Sequence, residues 1–175
     1  MFEEIKKIKI AITSLCNLRC THCLINKNLK KNIEFSQIKK VINFVFSTSG
    51  NYKKIEFYGG EPLLLWDIIS RSAKYIKDTA QKKQKKYASF IATNGTIINP
   101  RIIEDIKKEN MHIAISFSGS AESHGRNRIF KDGKNSYDKV IMNIKKYLRE
   151  CGENVFCIYC IDPSFSKNIY KDFKK

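Results

Sequence analysis

The chain alternates strand-like and helix-like segments, and this alternation limits its fold more than any other feature. Short runs rich in Ile and aromatic residues have the length of strands, and the segments between them carry apolar residues at helical spacing. Repeated strand–helix units favour parallel strands with right-handed crossovers and helices covering a curved sheet. The predicted fold class is therefore α/β. The five predicted strands lie at 7–13, 54–58, 89–93, 112–117 and 155–161, and Pro163 ends the last.

The segments between the predicted strands contain helix signals. Ser and Asn are favoured N-caps, and proline is favoured at the first helical position. Apolar residues then recur at helical spacing behind these signals. In chain order, the predicted features are a helix capped by Ser36, a helix at 66–85, a helix starting at Asn99 and Pro100, a polar loop at 118–135, a helix capped by Ser136, and the first turns of a further helix at 166–175.

Residues that can do chemistry follow each of the first four predicted strands. In barrels of parallel strands, the carboxyl ends of the strands share one rim, and the loops at that rim carry the active site. We therefore expect these segments to form a single site. They are 16–23, 59–62, 93–95, and 118–119 with the arginine-bearing loop that follows.

Cys16, Cys20 and Cys23 form a C-x3-C-x2-C triplet directly after the first strand. Three thiolates supply all but one of the ligands of a four-iron cluster, so one iron stays open to bind a small molecule and pass it an electron. Zinc is an alternative, but it usually takes four ligands from two separated pairs, and His22 lies awkwardly between two of the cysteines. Inert cysteines are a further alternative.

Composition narrows the function classes. The 175 residues are 42% hydrophobic, enough for one core, and no apolar run approaches the roughly 20 residues that cross a bilayer. No apolar signal region precedes the first strand, so we expect a reducing cytoplasm and no disulfide framework. The net charge of +16 comes mostly from lysines scattered along helix faces. A solvated surface is therefore favoured over nucleic-acid binding.

The cysteine triplet and its preceding strand resemble the cluster motif of radical S-adenosylmethionine (SAM) enzymes, and Gly59-Gly60-Glu61-Pro62 resembles their GGE motif. The resemblance extends from residue 8 to about residue 167. It is closest to the branch that carries a SPASM or related extension, which includes anaerobic sulfatase-maturating enzymes and other peptide and protein maturases. The implied fold is a partial (β/α)6 TIM-like barrel.

This resemblance also implies cofactors and site residues. Cys16, Cys20 and Cys23 would hold a [4Fe-4S] cluster whose open iron chelates SAM. One electron from the cluster would cleave SAM to a 5′-deoxyadenosyl radical, which abstracts hydrogen from the substrate. The implied SAM-binding residues are Gly59, Gly60 and Glu61 at the methionyl amino group, His22 at the adenine, Asn94 in the pocket wall, Ser116 near the ribose or carboxylate, and Arg128 at the carboxylate.

The chain departs from the family in one motif. Ser116-Phe117-Ser118-Gly119 resembles the family segment Ser-x-Asp-Gly, but Ser118 stands in place of the aspartate. The role of that aspartate is therefore in doubt. Cys151, Cys157 and Cys160 lie outside these motifs, and we expect them to be buried, inert thiols.

The resemblance further implies a peptide or protein substrate and an electron donor such as flavodoxin or ferredoxin. Residues 1–175 are expected to form a radical SAM core that stops before a sixth strand. A fragment, a split gene product completed by a second chain, and an unusually small family member all remain open. We expect the isolated chain to cleave SAM slowly or not at all. The alternative function is a non-catalytic accessory chain that binds a cluster or a partner protein.

Overall fold

The computed structural model describes residues 3–26, 28–160 and 170. Within them, five strands form one sheet in the order β1-β2-β3-β4-β5, with every neighbouring pair parallel. The predicted α/β class with five parallel strands is thereby confirmed. The elements are β1 Lys7–Thr13, α1 Phe35–Ser47, β2 Tyr52–Gly59, a 3-10 turn at Pro62–Leu65, α2 Trp66–Lys82, β3 Lys86–Thr93, α3 Pro100–Lys108, β4 His112–Ser116, α4 Ala121–Asn127, α5 Tyr137–Cys151, a 3-10 turn at Gly152–Asn154 and β5 Val155–Ile158.

One face of the sheet forms the core. Alternate residues of the first four strands are buried there under the helices, as period-2 alternation requires. The opposite face is exposed or half-buried and carries Lys9, Glu56 and Phe90. β1 and β5 are the edges of this open sheet in the described part of the chain. The buried strand residues are Ile10, Ile12, Ile55, Phe57, Ile91, Ile113 and Ile115.

Helix boundaries depart from the sequence prediction at two places. The N-cap of α1 is Glu34 rather than Ser36, because Glu34 and Gln37 form a reciprocal capping box. α2 ends at Lys82, short of the predicted Lys85, and Gln84 just beyond it has a φ of +51° that a helix cannot continue through. Asn99 caps α3 as predicted, accepting a hydrogen bond from the Ile102 amide.

The region after β4 contains a helix that the sequence prediction missed. α4 lies inside the predicted loop at 118–135, and the Ser120 side chain caps it by accepting from the Ser123 amide. Ser136 precedes α5 but makes no capping bond with its side chain, because its hydroxyl donates to the carbonyl of Arg128. β5 ends at Ile158. Predictions for residues 161–169, including Pro163, and for 171–175 fall outside the described residues.

None of the helices in the described ranges is both long enough and apolar enough to cross a membrane.

Candidate functional site

Glu61 ties the end of β2 to the end of β3. Its side chain is 0% exposed, and its Oε1 accepts hydrogen bonds from the Leu63 amide at 3.0 Å and the Thr93 hydroxyl at 2.7 Å. Oε2 accepts from the Asn94 amide at 2.8 Å. Burial raises the pKa of Glu61, and the three donors oppose that rise. The carboxylate therefore has a structural function at the rim.

Asn94 connects this strand end to the cysteine loop. Its Nδ2 donates to Asn17 Oδ1 at 2.9 Å and lies 3.6 Å from Cys16 Sγ. Its Oδ1 accepts from the Thr96 amide at 3.0 Å. Thus the structure brings together Cys16, Glu61 and Asn94, which the sequence analysis assigned to one site on topological grounds.

Gly59 and Gly60 let the cysteine loop approach β2. A Cβ on Gly59 would lie 2.3 Å from the carbonyl oxygen of Thr13, and one on Gly60 would lie 2.1 Å from that of Leu15. The Gly60 amide donates to Thr13 O at 2.7 Å, and the Glu61 amide donates to Leu15 O at 2.8 Å. These two positions require glycine for this backbone contact alone. Their contact with the methionyl end of SAM stays a prediction.

The three motif cysteines lie on one loop as thiols rather than disulfides. Cys16 and Cys20 are half-buried and Cys23 is exposed. Burial raises the pKa of Cys16 and of Cys20, and the Arg128 charge lowers that of Cys20. In residues 3–26, 28–160 and 170, no three His, Cys, Asp or Glu side chains are arranged to hold a metal ion. The thiols therefore supply suitable donors in one loop without forming a closed metal site.

The donor set nevertheless fits the implied cluster. A site-differentiated [4Fe-4S] cluster needs three thiolates and no fourth protein ligand, and this loop offers three thiols. Beside Cys16, a cavity of about 300 Å³ opens between the loop and two lysines. It is lined by Ser14, Leu15, Cys16, Leu18, Arg19, Lys30 and Lys131.

The end of α4 and the segment after it contact the other side of the cysteine loop. The Arg19 amide donates to Ile129 O at 2.8 Å, and the Thr21 amide donates to Asn127 O at 3.0 Å. Leu18, which is buried, forms an antiparallel bridge with Phe130. This docking was not predicted, because it depends on a helix that the sequence pattern does not reveal.

Arg128 is buried beside the site. It is 5% exposed, its Nε donates to Ser118 Oγ at 3.2 Å, and one terminal nitrogen lies 3.4 Å from Cys160 Sγ. None of the ion pairs in the described part of the chain involves Arg128. Ser118, which stands where the resembling family segment has aspartate, gives this guanidinium a neutral hydrogen-bond partner.

His124 and Ser136 support the Arg128 backbone. The Ser136 hydroxyl donates its one proton to Arg128 O at 2.7 Å. Its oxygen must therefore accept the hydrogen bond from His124 Nε2 at 3.0 Å. His124 Nδ1 in turn accepts from the Ser118 amide at 3.4 Å. These two hydrogen bonds assign His124 as a neutral imidazole that carries its proton on Nε2.

Neutral, buried His124 predicts a pH dependence of stability. Burial, with a smaller effect of the Arg128 charge, lowers the pKa of His124 from 6.5 to about 4. As the pH falls, the unfolded chain protonates His124 at about pH 6.5, whereas the folded chain does so only at about 4. The stability that comes from keeping His124 neutral is therefore fully present above pH 6.5 and is lost as the pH falls through about 4. We expect a loss of at most about 3 kcal/mol in urea denaturation at stepped pH. His124→Gln should flatten this dependence, whereas the exposed His22→Gln should not. Equal slopes for His124→Gln and the parent would contradict the assignment.

The remaining predicted residues are more dispersed. Ser116 is half-buried at the end of β4, and His22 is exposed on the cysteine loop. The expectation of burial is wrong for Cys157 and Cys160, which are exposed. Cys157 lies on β5, an edge strand within the described residues, and Cys160 lies beyond it. Cys151 is half-buried. Sequence reasoning missed Asn17 and Thr96, and the position of Asn17 next to Cys16 is the one signal that pointed to it.

Comparison with known proteins agrees with these features. The chain is 30% identical over 160 residues to the radical SAM cyclopropyl synthase TigE of Paramaledivibacter caminithermalis, covering 82% of this chain and 33% of that protein. It is 29% identical over 175 residues to a cysteine-type anaerobic sulfatase-maturating enzyme of Clostridium novyi, covering 93% and 46%. The chain thus spans less than half the length of these relatives.

A solved structure shares the fold. Native anSMEcpe with bound AdoMet and Kp18Cys peptide superposes with a TM-score of 0.86 at 20% identity, covering 96% of this chain and 47% of that one. The sequence model of the Radical SAM superfamily matches residues 10–162, which include every motif described above. The chain therefore belongs to the radical SAM superfamily.

Proposed function

We propose that this chain is the SAM-binding core of a radical SAM enzyme that modifies a peptide or protein. Cys16, Cys20 and Cys23 would hold a [4Fe-4S] cluster. When bound, the cluster and SAM would supply one-electron cleavage of the sulfonium and a 5′-deoxyadenosyl radical that takes hydrogen from the substrate. Membership of the family and the three thiols on one loop support this proposal.

The buried cation of Arg128 is the observation that carries the cofactor assignment. A buried guanidinium requires an anion, and its hydrogen-bond partners in the described residues are the neutral Ser118 and Cys160. Its charge acts on Cys20, where it opposes the burial that raises the pKa of that thiol. We infer that Arg128 receives the methionyl carboxylate of SAM, because guanidinium geometry matches a carboxylate bidentately.

The other predicted residues take supporting parts in this proposal. Backbone carbonyls at Gly59 and Gly60 would accept from the methionyl ammonium, while buried Glu61 holds the ends of β2 and β3 in place. His22 would lie against the adenine, and Ser116 near the ribose. Asn94 would line the pocket. Each is a proposal that cofactor binding to single variants would test.

Substrate and partners are proposed by analogy with the relatives. One relative matures sulfatases, and a peptide is bound in the similar structure named above. We therefore infer a peptide or protein substrate. The family resemblance further implies an electron donor such as flavodoxin or ferredoxin. Within the described residues, β5 is an edge strand, and it exposes Phe156, at 46%, and Ile158. A further segment or a second chain that pairs with this edge would complete the barrel and keep water from the radical.

Anaerobic reconstitution with a SAM titration tests the proposed function. SAM should change the electron paramagnetic resonance (EPR) spectrum of the reduced cluster. Arg128→Met should retain iron but bind SAM at least about tenfold more weakly, because it loses a charged hydrogen-bond pair. Arg126→Met, which alters an exposed arginine on the neighbouring helix α4, is the control and should bind SAM like the parent.

Two outcomes would count against the proposal. If SAM did not change the EPR spectrum of the reduced cluster in the parent protein, the proposed function itself would be contradicted. Undiminished SAM affinity in Arg128→Met, at full iron content, would remove only the carboxylate assignment.

A further inference from the structure

The orientation of the Asn94 amide is fixed by an unambiguous donor. The backbone amide of Thr96 can only donate, and it lies 3.0 Å from the atom of Asn94 assigned as Oδ1. The amide nitrogen of Asn94 must therefore point the other way, toward Asn17 Oδ1 and Cys16 Sγ. A flipped amide would place two donors against each other at Thr96.

Asn17 and Thr96 hold the amide in this orientation through a closed hydrogen-bond ring. Asn94 Nδ2 donates to Asn17 Oδ1 at 2.9 Å, and Asn17 Nδ2 donates to Thr96 Oγ1 at 2.7 Å. Thr96 Oγ1 completes the ring by donating to Asn94 Oδ1 at 2.6 Å. Every donor in the ring meets an acceptor, and Asn94 and Thr96 are both buried. The amide is thus held rigidly before any cofactor binds.

One Asn94 proton remains for the sulfur. Nδ2 carries two protons, and Asn17 Oδ1 takes one of them. The other is available to Cys16 Sγ at 3.6 Å, a normal length for a hydrogen bond to sulfur. The Leu18 amide donates to the same sulfur at 3.4 Å. The Cys16 sulfur therefore has two N–H donors, one from its own loop and one from the residue that follows β3.

Resting on the proposed function, we propose that Asn94 is a positioning residue that donates an N–H···S hydrogen bond to the Cys16 thiolate and raises the reduction potential of the cluster. Reduction adds negative charge to the cluster and its sulfurs, so a donor to a ligand sulfur stabilises the reduced form more than the oxidised form. This role is distinct from lining the SAM pocket, because it operates with no SAM present.

A redox titration of the SAM-free, reconstituted protein tests this role. Asn94→Ser keeps an oxygen near the Thr96 amide but removes the donor to sulfur, and should shift the potential to a more negative value. Asn94→Asp should shift it further, since a carboxylate oxygen would face the sulfur. The matched control is Asn143→Ser. Asn143 is also buried, and it donates to Gly95 O at 2.8 Å, one residue from Asn94. Its variant should keep the parent potential.

A measurement on the parent sequence covers the case in which variants load poorly. Protein carrying asparagine labelled with ¹⁵N at the side-chain amide should show a ¹⁵N hyperfine coupling in pulsed EPR of the reduced cluster. Absence of that coupling, or an Asn94→Ser potential equal to that of Asn143→Ser at equal iron content, would overturn the inference. Failure of the parent to bind any cluster would instead overturn the proposed function.

Discussion

Replacing Cys20 with alanine should abolish iron binding in the anaerobically reconstituted protein. The parent should hold about four irons per chain and be brown, because three thiolates suffice for a site-differentiated [4Fe-4S] cluster. Cys16→Ala and Cys23→Ala should have the same effect as Cys20→Ala. Iron analysis and the visible absorption spectrum measure the result.

The exposed cysteines at the other end of the chain provide the control. Cys157→Ala and Cys160→Ala should retain the parent's iron content, although Cys160 contacts Arg128. Loss of iron in either variant, with iron retained in Cys20→Ala, would show that the cluster site is elsewhere.

Glu61→Ala should destabilise the iron-free protein by about 3 kcal/mol or more. The substitution leaves the Leu63 amide, the Thr93 hydroxyl and the Asn94 amide buried without their acceptor, and each such loss costs about 1–3 kcal/mol. Urea denaturation without iron measures this directly. Glu104→Ala, at an exposed position on α3, should stay within about 0.5 kcal/mol of the parent.

Glu61→Gln separates packing from hydrogen bonding at this position. Glutamine has nearly the same shape, but its amide nitrogen replaces one of the two acceptor oxygens and faces a donor. We expect a smaller loss than in Glu61→Ala, about 1–3 kcal/mol. Stability equal to that of the parent in both variants would mean that Glu61 does not hold the strand ends together.

The sheet and the position of the site could be predicted because both follow from local patterns. Short apolar runs give strands, and the helical spacing between them gives crossovers that must be parallel. Parallel strands put their carboxyl ends at one edge, so the segments after β1, β2 and β3 had to meet. The contacts among Cys16, Glu61 and Asn94 confirm that reasoning.

α4 could not be predicted because its sequence lacks the periodic apolar residues that reveal a helix. Its seven residues, AESHGRN, are mostly polar or small. The helix is stabilised instead by the Ser120 cap and by the tertiary burial of His124, whose ring bonds reach Ser118 and Ser136. Both partners lie outside the helix, so the local sequence pattern of α4 does not reveal these bonds.

The function of individual polar residues also depends on distant partners. Gly59 and Gly60 were recognised from their motif, yet the atoms that exclude a Cβ there belong to Thr13 and Leu15. The contact of Glu61 with the cofactor stays a prediction, and the structure adds three donors of the protein around its carboxylate. A sequence shows which groups can bond, whereas the fold decides which of them do.

The docking of the cysteine loop implies an order of events during folding. The loop follows the first strand, yet Asn17 bonds to Thr96 and to Asn94, 79 and 77 residues away, and Thr21 bonds to Asn127, 106 residues away. Contacts over such separations form only after the intervening chain has ordered, because closing a long loop costs entropy that the later contacts must offset. The loop therefore reaches its final shape only after β3 and α4 are in place. Under the proposed function, the complete cluster site would therefore form only once these parts of the fold are in place.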